Sequence, residues 1–299
     1  MSGEVAALLS ALLWAVSSVL TTVGAKRIHV VPLNLIRCVV STTFFWLMLP
    51  FYGGVQALAA IQPPAWLWLV LSVLGLLVIG DTLFFRSMDL AGVSWAMPVA
   101  SINPLWVVLL ASVLVQEPLT WSLLAGALLV IVGIVLVNKP APRNASRSKI
   151  EEGNPADGKA RRLGLVMAFG VSILWAMGQV ALKPATEGLH SVVANSVRQP
   201  LGMTMLLGLT LFTGRWGAWR RLDRKSWAII IIASLIGTGF GTLFFIMAIQ
   251  MAGAGRTAIL ASTAPILAIP FSMLWLHERP SRWTLFGTVL TVAGIVLVI

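Results

Sequence analysis

Along this chain, apolar runs of some twenty residues alternate with short polar connections. An apolar run of roughly 17 residues or more is a candidate to cross the hydrocarbon core of a bilayer as a helix. The pattern predicts ten such helices. They lie at about 4–25, 31–52, 65–87, 91–116 and 119–138 in the first half. In the second half they lie at about 163–184, 191–213, 226–248, 255–276 and 281–299. Between the halves, 139–162 carries seven Lys/Arg and three acids among Pro, Asn, Ser and Gly. Such a stretch cannot bury a core and reads as a solvated linker.

Composition agrees with that pattern. Of 299 residues, 58% are hydrophobic and 10% charged, against about 25% charged in an ordinary globular domain. Too few charged side chains remain to cover a soluble surface. The net charge of +11 does not point to nucleic acid, because the basic residues sit in the connections and form no stripe interleaved with aromatics. Cys38 is the single cysteine, which excludes internal disulfides and cysteine-based metal sites. His29, His190 and His277 fall in three different connections. No cofactor, no metal and no catalytic set is expected, so the chain does not read as an enzyme. The first run has no positively charged leader segment before it and is long enough to span, so it reads as a retained helix.

The two halves are copies in one register. An offset of 161 aligns Trp14 with Trp175, Asn34 with Asn195, Arg37 with Arg198 and Gly80 with Gly241. It also aligns Ala100-Ser101 with Ala261-Ser262, Pro104 with Pro265, Glu117 with Glu278, Gly126 with Gly287 and Gly133 with Gly294. So many rare residue types do not keep one spacing by chance. One local slip appears, where Thr82–Phe85 matches Thr242–Phe245 better at 160.

Five helices per copy is an odd number, so the copies enter the membrane in opposite directions. Cytoplasmic loops collect Lys and Arg, and the basic residues divide 17 to two between the two sides. The richer side holds the linker, which places it in the cytoplasm and both termini outside, in the cell inner membrane. The fold class expected is an all-α polytopic protein: ten transmembrane helices as two inverted five-helix repeats, 1–138 and 163–299, joined by the linker 139–162.

Arg37 and Arg198 in helices 2 and 7, Pro104 and Pro265 in helices 4 and 9, the acidic turns at Glu117 and Glu278, and the paired glycines of helices 5 and 10 together resemble the drug/metabolite transporter superfamily. Within it, the chain is similar to the EamA-type ten-helix branch over nearly its whole length outside the linker. The resemblance implies a secondary transporter, and members like this one export amino acids and related metabolites. Relatives that move sugars or organic cations, or that flip lipid-linked carriers, stand as the alternative.

Inverted-repeat transporters hold solute near the midplane, between the copies. Trp14 and Trp175 lie near span centres, away from the interfacial belt, as cavity walls or as packing between helices. Arg37 and Arg198 lie about 6 Å from the midplane at roughly 1.5 Å per residue. A cation at that depth faces protein or water and marks function by default, with snorkelling as the alternative. Asp81 falls on the side of Arg37 and either pairs with it, as a structural pair or gate, or titrates and couples flux to protons, which a permanent ion pair would prevent. Thr242 stands at the matching position, so Arg198 lacks an acid and is the expected site for a substrate carboxylate. Asn34 and Asn195 share a helix face with the arginines. Pro104 and Pro265 each remove one helical hydrogen bond, and Ser101 and Asn103 beside Pro104 either line a cavity or satisfy the kink. Gly126, Gly133, Gly287 and Gly294 are expected to form the seam between the halves. The partners expected are a small-molecule substrate and the lipid bilayer, with protons as the candidate coupling ion, for a monomer or homodimer.

Overall fold

Hydrocarbon offers no partner for a backbone amide, so each apolar run must close its own hydrogen bonds, and a helix does so within the segment. The computed structural model describes residues 1–24, 28, 30–137, 158–214, 217, 219, 222–275 and 281–299. Most of the linker lies outside the described residues, as do Lys26, Arg27, His29, Arg215, Trp216, Arg220, Arg221, His277, Glu278 and Arg279.

Every regular element among the described residues is helical. Helix α1 (Gly3–Gly24) is followed by α2 (Val30–Met48), a 3-10 turn (Leu49–Tyr52) and the short α3 (Gly54–Ala59). Helix α4 (Pro63–Val73) runs through a π turn (Leu74–Val78) into α5 (Ile79–Ala91). Then come α6 (Val93–Ala100), α7 (Asn103–Leu114) and α8 (Trp121–Val137). The second half holds α9 (Gly158–Ala185), α10 (Ser191–Phe212) and α11 (Arg224–Ser234). A π turn (Leu235–Gly241) leads into α12 (Thr242–Ala252), followed by α13 (Ala254–Ala261), α14 (Ala264–Trp275) and α15 (Arg282–Val298).

Seven helical stretches among the described residues are long and apolar enough to cross a membrane. The apolar helices α8 and α15 have 17 residues each, and the 22-residue α10 carries Asn195, Ser196, Arg198 and Gln199. Large apolar side chains stay exposed around the bundle, among them Val113 at 76% and Phe212 at 90%. The interior is filled largely by small residues such as Ala6, Ala7, Ala176, Ala194 and Ala258. That distribution inverts a soluble protein's and suits lipid outside with close helix approach inside.

Three expectations about the elements change. The end of the predicted linker is already helical, since α9 begins at Gly158, and the Arg161 guanidinium lies 4.0 Å over the Trp95 ring. The spans at 91–116 and 255–276 are not continuous helices with a kink. Turns at Ser101–Ile102 and Ser262–Thr263 divide them, and Pro104 and Pro265 sit in the first turn of the next helix, where a missing N–H costs no helical bond. The sequence slip at Thr82–Phe85 also disappears in space. Phe84 packs on Trp175 and Phe245 on Trp14, so the phenylalanines keep the 161 register because each is placed by its tryptophan.

The halves interlock. Helix α1 packs on α11, its π turn and α12, while α9 packs on α4, its π turn and α5. Helix α2 lies against α10, and α8 against α15. The last pair is the glycine seam. A Cβ on Gly133 would stand 2.6 Å from the Gly287 carbonyl oxygen, and one on Gly294 would stand 2.8 Å from that of Gly126. Backbone meets backbone there, as the paired glycines foretold.

Candidate functional site

Two tryptophans organise the middle of the bundle. Trp14 from α1 crosses to the π turn of the second half, and Trp175 from α9 crosses to the start of α5, just past that of the first. A Cβ on Gly241 would stand 2.7 Å from Trp14 Cδ1, and one on Gly80 would stand 2.6 Å from Trp175 Cδ1. Only glycine lets each indole lie flat across the opposing helix. The Trp14 Nε1–H donates to the Gly237 carbonyl at 3.1 Å. Phe245 lies 4.9 Å from Trp14, and Phe84 lies 4.8 Å from Trp175. Wide π turns recur at functional sites because they break the regular backbone ladder.

A cavity of about 320 Å³ begins at Trp14 and is lined by Ser17, Ser18, Thr21, Thr22 and Arg37. The five α1 residues share one helix face, so Trp14 closes the inner end of a hydroxyl stripe. This volume lies within the usual range for small-molecule sites, about 300–1,000 Å³. The cavity runs toward the end of the bundle that holds Gly24, the end opposite the N-terminus.

On its wall, Arg37 Nη1 donates to Asn34 Oδ1 at 3.2 Å, and Asn34 Nδ2 donates to Asp81 Oδ2 at 3.3 Å. The Trp175 indole also lies near the Asp81 carboxylate. The expected direct Arg37–Asp81 pair is therefore not made; the Asn34 amide stands between them. Arg37 Nε is buried and has no partner among the described residues.

Arg198 is in the opposite condition. It is 4% exposed, and its Nε donates to Ser72 Oγ at 3.0 Å while Nη1 donates to Asn195 Oδ1 at 3.3 Å. The contrast has a local cause. Ser72 matches Ala233 in the other half, which has no hydroxyl to offer Arg37, and Asp81 matches Thr242. Arg198, expected to face substrate, is thus sealed away from the described cavity.

The remaining expected residues split. Ser101 Oγ donates back to the Met97 carbonyl at 2.8 Å. Ser262 does the same to Ala258 at 2.6 Å, so these hydroxyls serve their own helix ends. Asn103 links α7 to α9, donating to the Ser172 carbonyl at 3.1 Å and accepting from Gln179 Nε2 at 3.0 Å. The stripe Ser17, Ser18, Thr21 and Thr22 escaped the sequence reading. Four hydroxyls at helical spacing below a central tryptophan were the signal available.

The end of the bundle that carries the N-terminus is tied together by polar contacts across the halves. The Glu117 carboxylate accepts the N–H groups of Ala254 at 2.7 Å and Gly255 at 3.0 Å, capping α13 of the other half. Lys183 Nζ donates to the Ile249 carbonyl at 3.3 Å, and Gln250 Nε2 reaches the carbonyls of Thr186 and Leu189 at 2.9 and 2.8 Å. Arg256 and Glu4 pair at 3.4 Å. Its place in an acidic turn did not reveal that Glu117 reaches across the halves.

Apolar helices with lipid-compatible exteriors, interlocked around a polar, arginine-lined cavity, define a multi-pass membrane protein with a solute-sized interior space. The chain belongs to the EamA-like transporter family, which matches residues 1–139 and again 162–299. An uncharacterized transporter of Archaeoglobus fulgidus is 27% identical over 293 residues, covering 98% of this chain and 96% of its own. An uncharacterized transporter of Synechocystis is 25% identical over 247 residues, covering 78% of this chain and 71% of its own. One from Bacillus subtilis is 33% identical over 141 residues, covering 46% and 44%. A solved crystal structure, 19% identical, superposes with a TM-score of 0.77 over 99% of this chain and 96% of its own. At that identity the likeness is one of fold alone. The protein is a membrane transporter, not an enzyme.

Proposed function

We propose that this chain is a ten-helix inner-membrane secondary transporter, built from inverted repeats 1–138 and 163–299, that exports amino acids or related small polar metabolites. Its linker faces the cytoplasm and both termini lie outside. One observation carries the reading: Arg37 and Arg198, mates at an offset of 161, occupy unlike states. Arg37 borders an open cavity and keeps a buried Nε without a partner among the described residues, while Arg198 is closed over and satisfied. Inverted copies in two conformations are the basis of alternating access, in which one face is open while the other is shut. In this orientation the state is open toward the cytoplasm, with the Glu117 cap closing the outside. The geometry favours Arg37 over Arg198 as the first arginine to meet solute, with Trp14 and Trp175 as the walls of its path and Asn195 as the partner that holds Arg198.

The test is counterflow of a pool of labelled amino acids into proteoliposomes, which needs no knowledge of the coupling ion. Wild type is expected to exchange label, and Arg37→Ala is expected to slow exchange by about tenfold or more while remaining monodisperse. Exchange at the wild-type rate in Arg37→Ala refutes the site. Counterflow of sugars or organic cations instead, with none of amino acids, refutes the substrate class.

A further inference from the structure

Resting on that transport reading, we infer that Arg37 and Asp81 form a recognition site for the zwitterionic head of an α-amino acid, a place now taken by the Asn34 side chain. The Asn34 amide presents a carbonyl oxygen to Arg37 at 3.2 Å and an NH₂ to Asp81 at 3.3 Å. An α-amino acid offers the same polarity in the same order, with a carboxylate to accept and an ammonium to donate, on adjacent atoms of one carbon. Asn34 is thus a weak internal copy of the ligand: both of its hydrogen bonds are made by a neutral group, and a charged pair replaces each with a stronger one.

Three features make the site ready for exchange. Arg37 lines the cavity, so a carboxylate entering from the open end meets the guanidinium first. Its Nε is buried without a partner among the described residues, so the Asn34 contact leaves the guanidinium short of one hydrogen bond. Asp81 lies behind Asn34 and faces the Trp175 indole, whose ring sits against Gly80 and Phe84. The other half lacks the pair, because Thr242 replaces Asp81 and Ser72 already takes Arg198 Nε. One zwitterion site per chain follows. A neutral sugar leaves both charges without an ionic partner, and a simple organic cation leaves Arg37 without one, so both are disfavoured.

The test is competition against counterflow of the labelled amino-acid pool in proteoliposomes. Competitors are the amino acids that wild type takes up, their amides (cations) and their N-acetyl derivatives (anions). Wild type is expected to prefer the zwitterion by about tenfold or more over either derivative, the loss expected when one charge-assisted contact is removed. Asp81→Asn is expected to erase the preference over N-acetyl derivatives but keep that over amides. Arg37→Gln is expected to do the reverse, and Asp81→Glu to restore the wild-type order. A wild type that accepts amides or N-acetyl derivatives as well as zwitterions overturns the inference and leaves amino-acid transport standing. Absence of any amino-acid exchange by folded wild type overturns both. Variants that lose exchange without a shift in preference show a structural role and also overturn it.

Discussion

Glu117 ties one half of the protein to the other by two hydrogen bonds, and removing it should open the closed face. The carboxylate accepts from Ala254 and Gly255 at 2.7 and 3.0 Å, at the first turn of α13, where N–H groups lack helical partners and the helix dipole favours an anion. Gly253, just ahead, has φ +89° and no side chain, and a Cβ there would stand 2.8 Å from Glu117 Oε1. Losing a capping side chain costs about 1 kcal/mol, and losing the charge at a helix start costs about 0.3–1 kcal/mol more. The pair of contacts therefore holds the face shut by about 2 kcal/mol, which corresponds to roughly 30-fold in the open-to-closed ratio. The buried Cys38 is the sole cysteine, so a Cys38→Ala background with Ala258→Cys gives a clean reporter. Ala258 is 2% exposed in the cluster beneath the cap. Alkylation by a membrane-impermeant maleimide should run roughly 30-fold faster in Glu117→Ala, and less so in Glu117→Gln, which keeps an acceptor but not the charge. A Glu117→Ala rate within threefold of the parent would refute the closed-face role of this contact.

Two further outcomes follow from the packing and the loops. Gly133→Ala places a methyl 2.6 Å from the Gly287 carbonyl, backbone that cannot yield cheaply, so thermal unfolding in detergent should show a loss of about 1–3 kcal/mol; Gly208→Ala, with open space at its Cβ, is the control that should show none. His190 accepts the Val192 N–H through Nδ1 at 3.2 Å and stacks on Tyr52 at 4.1 Å, and burial holds its imidazole below the ordinary value of 6.5. A lowered folded value means the contribution is complete above pH 6.5 and lost as pH falls through that lowered value. Unfolding midpoints should therefore drop on acidification in wild type but not in His190→Asn, which caps without titrating; parallel curves would remove His190 from the account.

Much of the architecture was legible because it depends on one segment at a time. A run such as Trp121–Val137 must be helical if it lies in lipid, and Gly126 and Gly133 mark a close contact wherever their helix packs. Trp14 and Trp175 stood out because an indole at a span centre has left the interface. The helix breaks at Ser101 and Ser262 were hidden, since a proline within an apolar run looks the same whether it bends a helix or starts a new one. The arginine roles were hidden for a different reason. Arg37 and Arg198 look alike in sequence, and their partners Asn34 and Asn195 look alike as well.

What separates them is a hydrogen bond from another helix. Ser72 satisfies Arg198, and Ala233 at the matching place cannot satisfy Arg37, yet nothing in the chain marks position 72 or 233 as facing an arginine. The sequence by itself determined the apolar runs, the duplicated register and the glycine seam, because bilayer solvation and close packing act on local composition. Only the tertiary structure decided which arginine keeps an unpartnered donor, which helix Glu117 caps, and that Asn34 stands between Arg37 and Asp81. Each of those depends on whether a buried polar group finds its partner, and that partner comes from a helix distant in sequence.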